Sequence, residues 1–267
     1  MPKRVNVSYM TLRRFQGQSI LITGGAGGIG RQIARQFAEQ GGKVGILDSN
    51  LNAIESIVAE IVASGAVAAG EHVDVRDSIA VERAINKLAD TLGGVNVLVT
   101  AAGGSLGTPR DLDEISSDDL DLVLDVNIKG TFNCAKSVIP FMKKSGGGSI
   151  ITFSSIGGRS ASPVTGVPYA AAKAAILGLT RRLAKEVGEF NIRVNAIAPG
   201  LFLTDRLEGM FDQMSAAERS EVLSAIPLGR MPTLKECADP VLFLASEESS
   251  FITGIVLDVN GGRLMPN

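Results

Sequence analysis

The sequence predicts an α/β fold, a doubly wound parallel sheet of about seven strands in a single domain. Three observations predict it. Short apolar, β-branched runs alternate with amphipathic helical stretches along the chain. The first of these runs ends in a cluster of glycines that leads straight into a helix. Neither a fixed-period repeat nor a Pro/Gly/Ser-rich linker divides the 267 residues. Near-continuous apolar strands mean a sheet covered on both faces, with strands parallel and crossovers right-handed.

Ser19-Ile20-Leu21-Ile22-Thr23 reads as the first buried strand, and Arg31 to Gln40 follows with Ile33, Ala34, Phe37 and Ala38 at helical spacing. Lys43 to Leu47 is the second strand and Leu51 to Ala63 the second helix. Val67 to Val75 holds the third strand, and Ser78 to Leu92 is a helix with Ile79, Ala80, Ala84, Ile85 and Leu88 as its apolar set. Val95 to Thr100 is the fourth strand, ahead of a long helical stretch from about Asp118 to Lys144. Ser149 to Phe153 is the fifth strand, and a helix running to about Glu189 follows it. Ile192 to Ile197 and Ile255 to Val259 are the sixth and seventh strands.

Composition narrows the class. Hydrophobic residues make up 45% and charged residues 20%, as in a soluble globular protein. A net charge of −2 gives no basic footprint for nucleic acid. No apolar run is long enough to span a bilayer, so no membrane partner is expected. Cys134 and Cys237 sit in unrelated contexts, which argues against a disulfide and for a reducing, cytoplasmic compartment. With His72 the one histidine and no Cys/His cluster, no metal site is expected. Residues 1–14 form a basic, acid-free leader without an apolar core. It reads as a flexible tail ahead of a domain spanning 15–267, with organelle targeting as the alternative.

The glycine cluster Thr23-Gly24-Gly25-Ala26-Gly27-Gly28-Ile29-Gly30 sits between a strand and a helix, where glycines allow a tight turn and let backbone approach a pyrophosphate. Two registers overlap. Gly25, Gly27 and Gly30 fit G-x-G-x-x-G, whereas Gly24, Gly28 and Gly30 fit T-G-x-x-x-G-x-G; Thr23 at the strand end favours the second. Asp48 closes the second strand, where a carboxylate accepts from ribose hydroxyls and repels a 2′-phosphate. NAD is therefore expected over NADP, the alternative role for Asp48 being a helix cap. Asp74 offers an acceptor for an adenine amino group, or a cap for the next helix.

Tyr169 and Lys173 stand four residues apart on a predicted helix, so phenol and ammonium share one face. A nearby cation favours phenolate and lowers the phenol pKa, which suits Tyr169 to general acid/base work. Taken alone, the pair also fits an ordinary solvated helix surface.

Together, these stretches resemble the short-chain dehydrogenase/reductase family from about Gln18 to Gly262. The matching segments are Thr23-Gly24 through Gly30, Asp74-Val75, Val126-Asn127-Ile128-Lys129-Gly130, Ser154-Ser155, Tyr169 through Lys173, Ile192 through Gly200 and Asp258 through Gly262. The resemblance implies a Rossmann fold and a catalytic tetrad. Tyr169 would exchange the proton, Lys173 would tune it and bond the nicotinamide ribose, Ser155 would hold the substrate oxygen, and Asn127 would help hold a water. It further implies that Thr23, Gly24, Gly28, Ile29, Gly30, Asp48, Asp74, Val75, Ala102, Gly103, Pro199, Gly200 and Thr204, with Tyr169 and Lys173, hold the dinucleotide.

Two departures stand out. Ser155 and Tyr169 are 14 residues apart, one more than the commonest family spacing. Thr100-Ala101-Ala102-Gly103 replaces Asn-Asn-Ala-Gly, removing one polar brace of the sheet. By the same resemblance, a substrate lid lies near 201–226, residues 105–111 and 156–167 form further walls, and the protein is a homotetramer. The function implied is NAD-dependent interconversion of a small secondary alcohol and its ketone. The alternatives are a 3-oxoacyl-[acyl-carrier-protein] reductase and a dinucleotide-binding protein without turnover.

Overall fold

The computed structural model describes residues 13–161, 165–203, 211 and 214–266. Seven strands form one parallel sheet: β1 (Ser19–Thr23), β2 (Lys43–Asp48), β3 (Ala68–His72), β4 (Val97–Thr100), β5 (Gly148–Phe153), β6 (Ile192–Pro199) and β7 (Val256–Val259). Their order is β3-β2-β1-β4-β5-β6-β7, so the direction of winding reverses between β1 and β4. Ligands of open α/β sheets bind outside the carboxyl ends of the strands at such a reversal. The expected fold class is therefore what the chain adopts.

Helices cover both faces. Helices α1 (Gly28–Glu39) and α2 (Leu51–Ala63) lie on one side, while α3 (Ser78–Leu92), α4 (Ser117–Leu124), α5 (Gly130–Lys144) and α6 (Val167–Val187) lie on the other. Alternate residues of a strand point to opposite faces. Thus Ile20 and Ile22 of β1 join Ile33, Phe37 and Val241 in one core, while Leu21 joins Leu88, Leu98 and Ile150 in the other.

Two further helices, α7 (Ala216–Ser224) and α8 (Leu234–Ala245), were not anticipated by periodicity. Helix α8 is part of the main core through Cys237, Ala238, Val241, Leu242 and Leu244, and packs beside α1. Pro240 inside it masks the pattern, since proline removes a backbone donor. Its start was nonetheless marked, because Thr233 and Glu236 form a reciprocal capping box.

The long stretch expected from Asp118 to Lys144 is interrupted. Residues Asp125–Lys129 form a π-helical turn between α4 and α5. The first helix starts at Gly28, not Arg31, so the last glycines of the loop belong to its opening turn. The missing polar brace is also visible: Thr100 is buried and its hydroxyl has no hydrogen-bond partner among the described residues. Phe202, at the start of the 201–226 segment, is buried in the core with Phe153 and Ile197.

Candidate active site

The glycine loop forms one end of the site. Gly24 has φ +63°, and a methyl there would stand 2.8 Å from the Ala102 backbone nitrogen and Cα. Gly28 also has positive φ, and a methyl on Gly30 would overlap the Gly24 carbonyl. Gly27 is extended, with nothing near its missing side chain. Geometry thus demands glycine at 24, 28 and 30, the T-G-x-x-x-G-x-G register. Thr23 supports the turn, its Oγ1 accepting from the Ala102 N–H at 3.2 Å. No side chain caps α1, so its first N–H groups open toward the cleft.

A cavity of about 740 Å³ runs along this edge. Its wall includes Gly24, Gly28, Ile29 and Gly30, then Asp48, Asp74, Val75, Ala102, Gly103 and Phe153. Asp48 is anchored from both sides, its two oxygens accepting from the Ala26 and Asn50 N–H groups at 3.1 Å each. Asp74 is clamped by the guanidinium of Arg76, with bonds of 2.6 to 3.0 Å, and this pair holds its carboxyl below the usual carboxylate range. The carboxylate expected to face an adenine amino group is thus shared with an arginine. Pro199 and Gly200 stand outside this wall at the end of β6, where Gly200 packs on Asn260. Thr204 lies outside the described residues.

At the other end four side chains converge. Lys173 is buried, and its ammonium donates to the Phe153 carbonyl at 2.8 Å. Its Nζ lies 5.7 Å from the centre of the Tyr169 ring. Asn127 is held in the π turn. Its Nδ2 donates to the Gly104 and Val123 carbonyls at 2.9 Å, and its Oδ1 accepts from the Gly104 N–H at 3.0 Å. A methyl on Gly103 would overlap Asn127 Oδ1 and sit 3.4 Å from Lys173 Nζ, so bare backbone alone fits between them.

The two serines divide their roles by direction. Ser154 is buried and donates to the Lys173 carbonyl at 2.7 Å, tying β5 to α6. Ser155 turns the other way. It caps the short turn Ile156–Gly158, accepting from the Gly157 N–H at 3.1 Å, and reaches the Tyr169 phenol. Ser154 as structural support had no signal in the sequence. The expected walls also meet, since a methyl on Gly166 would stand 2.7 Å from the Pro109 carbonyl oxygen.

Electrostatics correct one expectation. Burial pushes the Tyr169 phenol up, and the Ser155 hydrogen bond only partly opposes it. Burial also pulls Lys173 down to about 8. The protein by itself therefore does not make the phenol more acidic. Low polarity disfavours phenolate and ammonium alike, and the ammonium spends its hydrogen bond on the Phe153 carbonyl.

Comparison with known proteins identifies the class. A family model described as enoyl-(acyl carrier protein) reductase matches residues 24–263. The chain is 36% identical to a 2-dehydro-3-deoxy-L-rhamnonate dehydrogenase (NAD(+)) of Sphingomonas sp. (strain SKA58), covering 94% of this chain and 96% of that one. It is 38% identical to a 3-oxoacyl-[acyl-carrier-protein] reductase of Thermotoga maritima, covering 94% and 100%. Among solved structures, a 3-oxoacyl-[acyl-carrier protein] reductase with bound NAD from Brucella melitensis superposes with a TM-score of 0.87. It shares 35% identity over 100% of this chain and 98% of that one.

The chain belongs to the short-chain dehydrogenase/reductase family and is an oxidoreductase of alcohol and carbonyl groups. A nicotinamide dinucleotide fits the cleft: the glycine cradle admits backbone only, the uncapped α1 terminus suits a pyrophosphate, and Asp48 faces the loop.

Lys173 makes stability depend on pH. Between about 8 and its ordinary 10.5, the unfolded chain keeps a proton that the native chain has released, so stability rises with pH across that window. Relative to Lys173→Met, the wild type should gain roughly 2 kcal/mol between pH 7.5 and 10, read from paired urea denaturation curves. A difference that does not change with pH would show that the ammonium is not held in this environment.

Proposed function

We propose that the protein is an NAD(H)-dependent dehydrogenase that interconverts a small secondary alcohol and its ketone, with Tyr169 as general acid/base. The observation that carries this reading is the meeting of Ser155, Tyr169 and Lys173 beside Gly103, which lines the same cleft as Asp48. When bound, the nicotinamide gives or takes the hydride.

The chain supplies the proton and the field. In the reductive direction, the Tyr169 hydroxyl donates its proton to the carbonyl oxygen of the substrate while Ser155 holds that oxygen. In the oxidative direction, the phenolate takes the alcohol proton. With its pKa raised by burial, Tyr169 is protonated at neutral pH and stands ready to donate. Lys173 lies on the same helix and favours the phenolate once it forms. Asn127, pinned beside Gly103, would help hold a water that returns the proton to bulk.

Asp48 supports NAD over NADP because a 2′-phosphate would meet a carboxylate already fixed by two backbone N–H groups. A second reading, reduction of a 3-oxoacyl thioester, is favoured by the 38% identity to the Thermotoga maritima enzyme. The Brucella melitensis relative carries NAD, so the choice of nucleotide does not exclude that reading. Phe132 of α5, with 53% of its surface exposed, and Leu120 of α4 are apolar surfaces that suit packing between copies in a homotetramer. Cys134 and Cys237, both buried and free, suit a reducing cytoplasm.

Tyr169→Phe should lower turnover by a factor of about a hundred or more while NADH affinity, read by fluorescence enhancement, stays within about twofold. Full turnover in that variant would remove Tyr169 from the chemistry. Asp48→Asn keeps an oxygen for the Ala26 N–H but drops the charge. It should raise the NADP-to-NAD ratio of kcat/KM about tenfold, and an unchanged ratio would count against the assignment. Sedimentation velocity should report four chains per particle; a monomer at working concentration would end the tetramer proposal.

A further inference from the structure

We propose that Arg159 and Asp258 are a positioning pair that sets the Ser155 hydroxyl against the Tyr169 phenol. The inference rests on Tyr169 acting as the general acid/base. Ser155 opens the turn Ile156–Gly158, and Arg159 closes it, its N–H donating to the Ile156 carbonyl at 3.0 Å. That turn is pressed on α6. A methyl on Gly158 would overlap the Lys173 carbonyl carbon and stand 2.6 Å from the Ala174 nitrogen. This close approach fixes how deeply the turn sits on α6, and Ser154 holds its near end through the Lys173 carbonyl. Arg159 supplies the lateral hold, because its Nη1 donates to Asp258 Oδ2 on the edge strand β7.

The pair is more enclosed than a surface ion pair, with side chains 19% and 24% exposed, so water screens it less. Asp258 is held from one side only. Its Oδ1 is buried without a hydrogen-bond partner among the described residues, so the bond from Arg159 to Oδ2 is what orients this carboxylate. Asp258 pairs with Ala198, one residue before Pro199, so the tether refers the serine turn to the end of β6 as well. Arg159 acts on the phenol through Ser155 and does not itself touch the reacting atoms.

The chain contains two tyrosines and no tryptophan, so in a Tyr9→Phe background the tyrosinate absorbance near 295 nm reports Tyr169 alone. Ser155→Ala should raise the phenol pKa, because a donor to the phenolate is lost. Arg159→Met and Asp258→Asn should both raise it, by about half a unit or more. The second variant is decisive. Removing an anion would by direct electrostatics lower the phenol pKa, whereas releasing the tether raises it. Lys173, the charged group one turn along α6 from Tyr169, is untouched in all three.

A lowered or unmoved pKa in Asp258→Asn would overturn the proposal, and so would an unmoved pKa in Ser155→Ala. The titration needs no substrate, so it is separate from the parent reading, which falls only if Tyr169→Phe retains turnover. Asp258→Asn is isosteric and guards against a failure of Arg159→Met to fold.

Discussion

Burying the Lys173 ammonium beneath the carboxyl end of the sheet is the constraint on which the rest of the site depends. A charge taken out of water is expensive unless something polar receives it, and here the Phe153 carbonyl does so at the last residue of β5. That bond fixes α6 against the sheet, and Ser154 fixes it a second time through the Lys173 carbonyl. Once α6 is placed, Tyr169 one turn earlier is placed with it. Gly103 and Gly158 must then be bare, because Asn127 and the α6 backbone stand where their side chains would be.

The glycine loop obeys a similar rule at the other end of the cleft. Backbone approaches backbone so closely at Gly24 and Gly30 that the loop has one shape, and Asp48 is drawn into it through the Ala26 N–H. The acid at the tip of β2 and the turn after β1 are therefore one unit. Arg76 holds Asp74 in the same manner on the neighbouring wall. The cleft is rigid where nucleotide phosphate and ribose are expected, because its polar groups are already engaged with one another.

How much of this was legible in the sequence follows from which forces leave local traces. The central strands are covered on both faces and so read as apolar runs, whereas β3 at the sheet edge carries Glu71 and His72, and its end reads too late because Val73 stays buried beyond it. Helix α8 was hidden by Pro240, and the π turn at Asn127 by an apolar pattern that a regular helix would share. The spacing of Tyr169 and Lys173 puts both on α6, but burial, which depends on the whole fold and not on neighbours along a helix, sets their electrostatics. Nor could local sequence reveal that Ser154 faces inward and Ser155 outward, or that Arg159 reaches an edge strand 99 residues away.

The π turn between α4 and α5 also bears on how such a chain can change over time. A turn of this kind holds one residue more than the regular helix around it. Deleting one residue between Asp125 and Lys129 would let α4 run into α5 as regular helix, because the turn takes up the extra residue and keeps the faces on either side in phase. Cys134 and Val138 would keep their places in the core, while the local bulge that presents Asn127 to Gly104 would be lost. A residue gained or lost there costs the core little and the site much, so a change of length is felt first by Asn127.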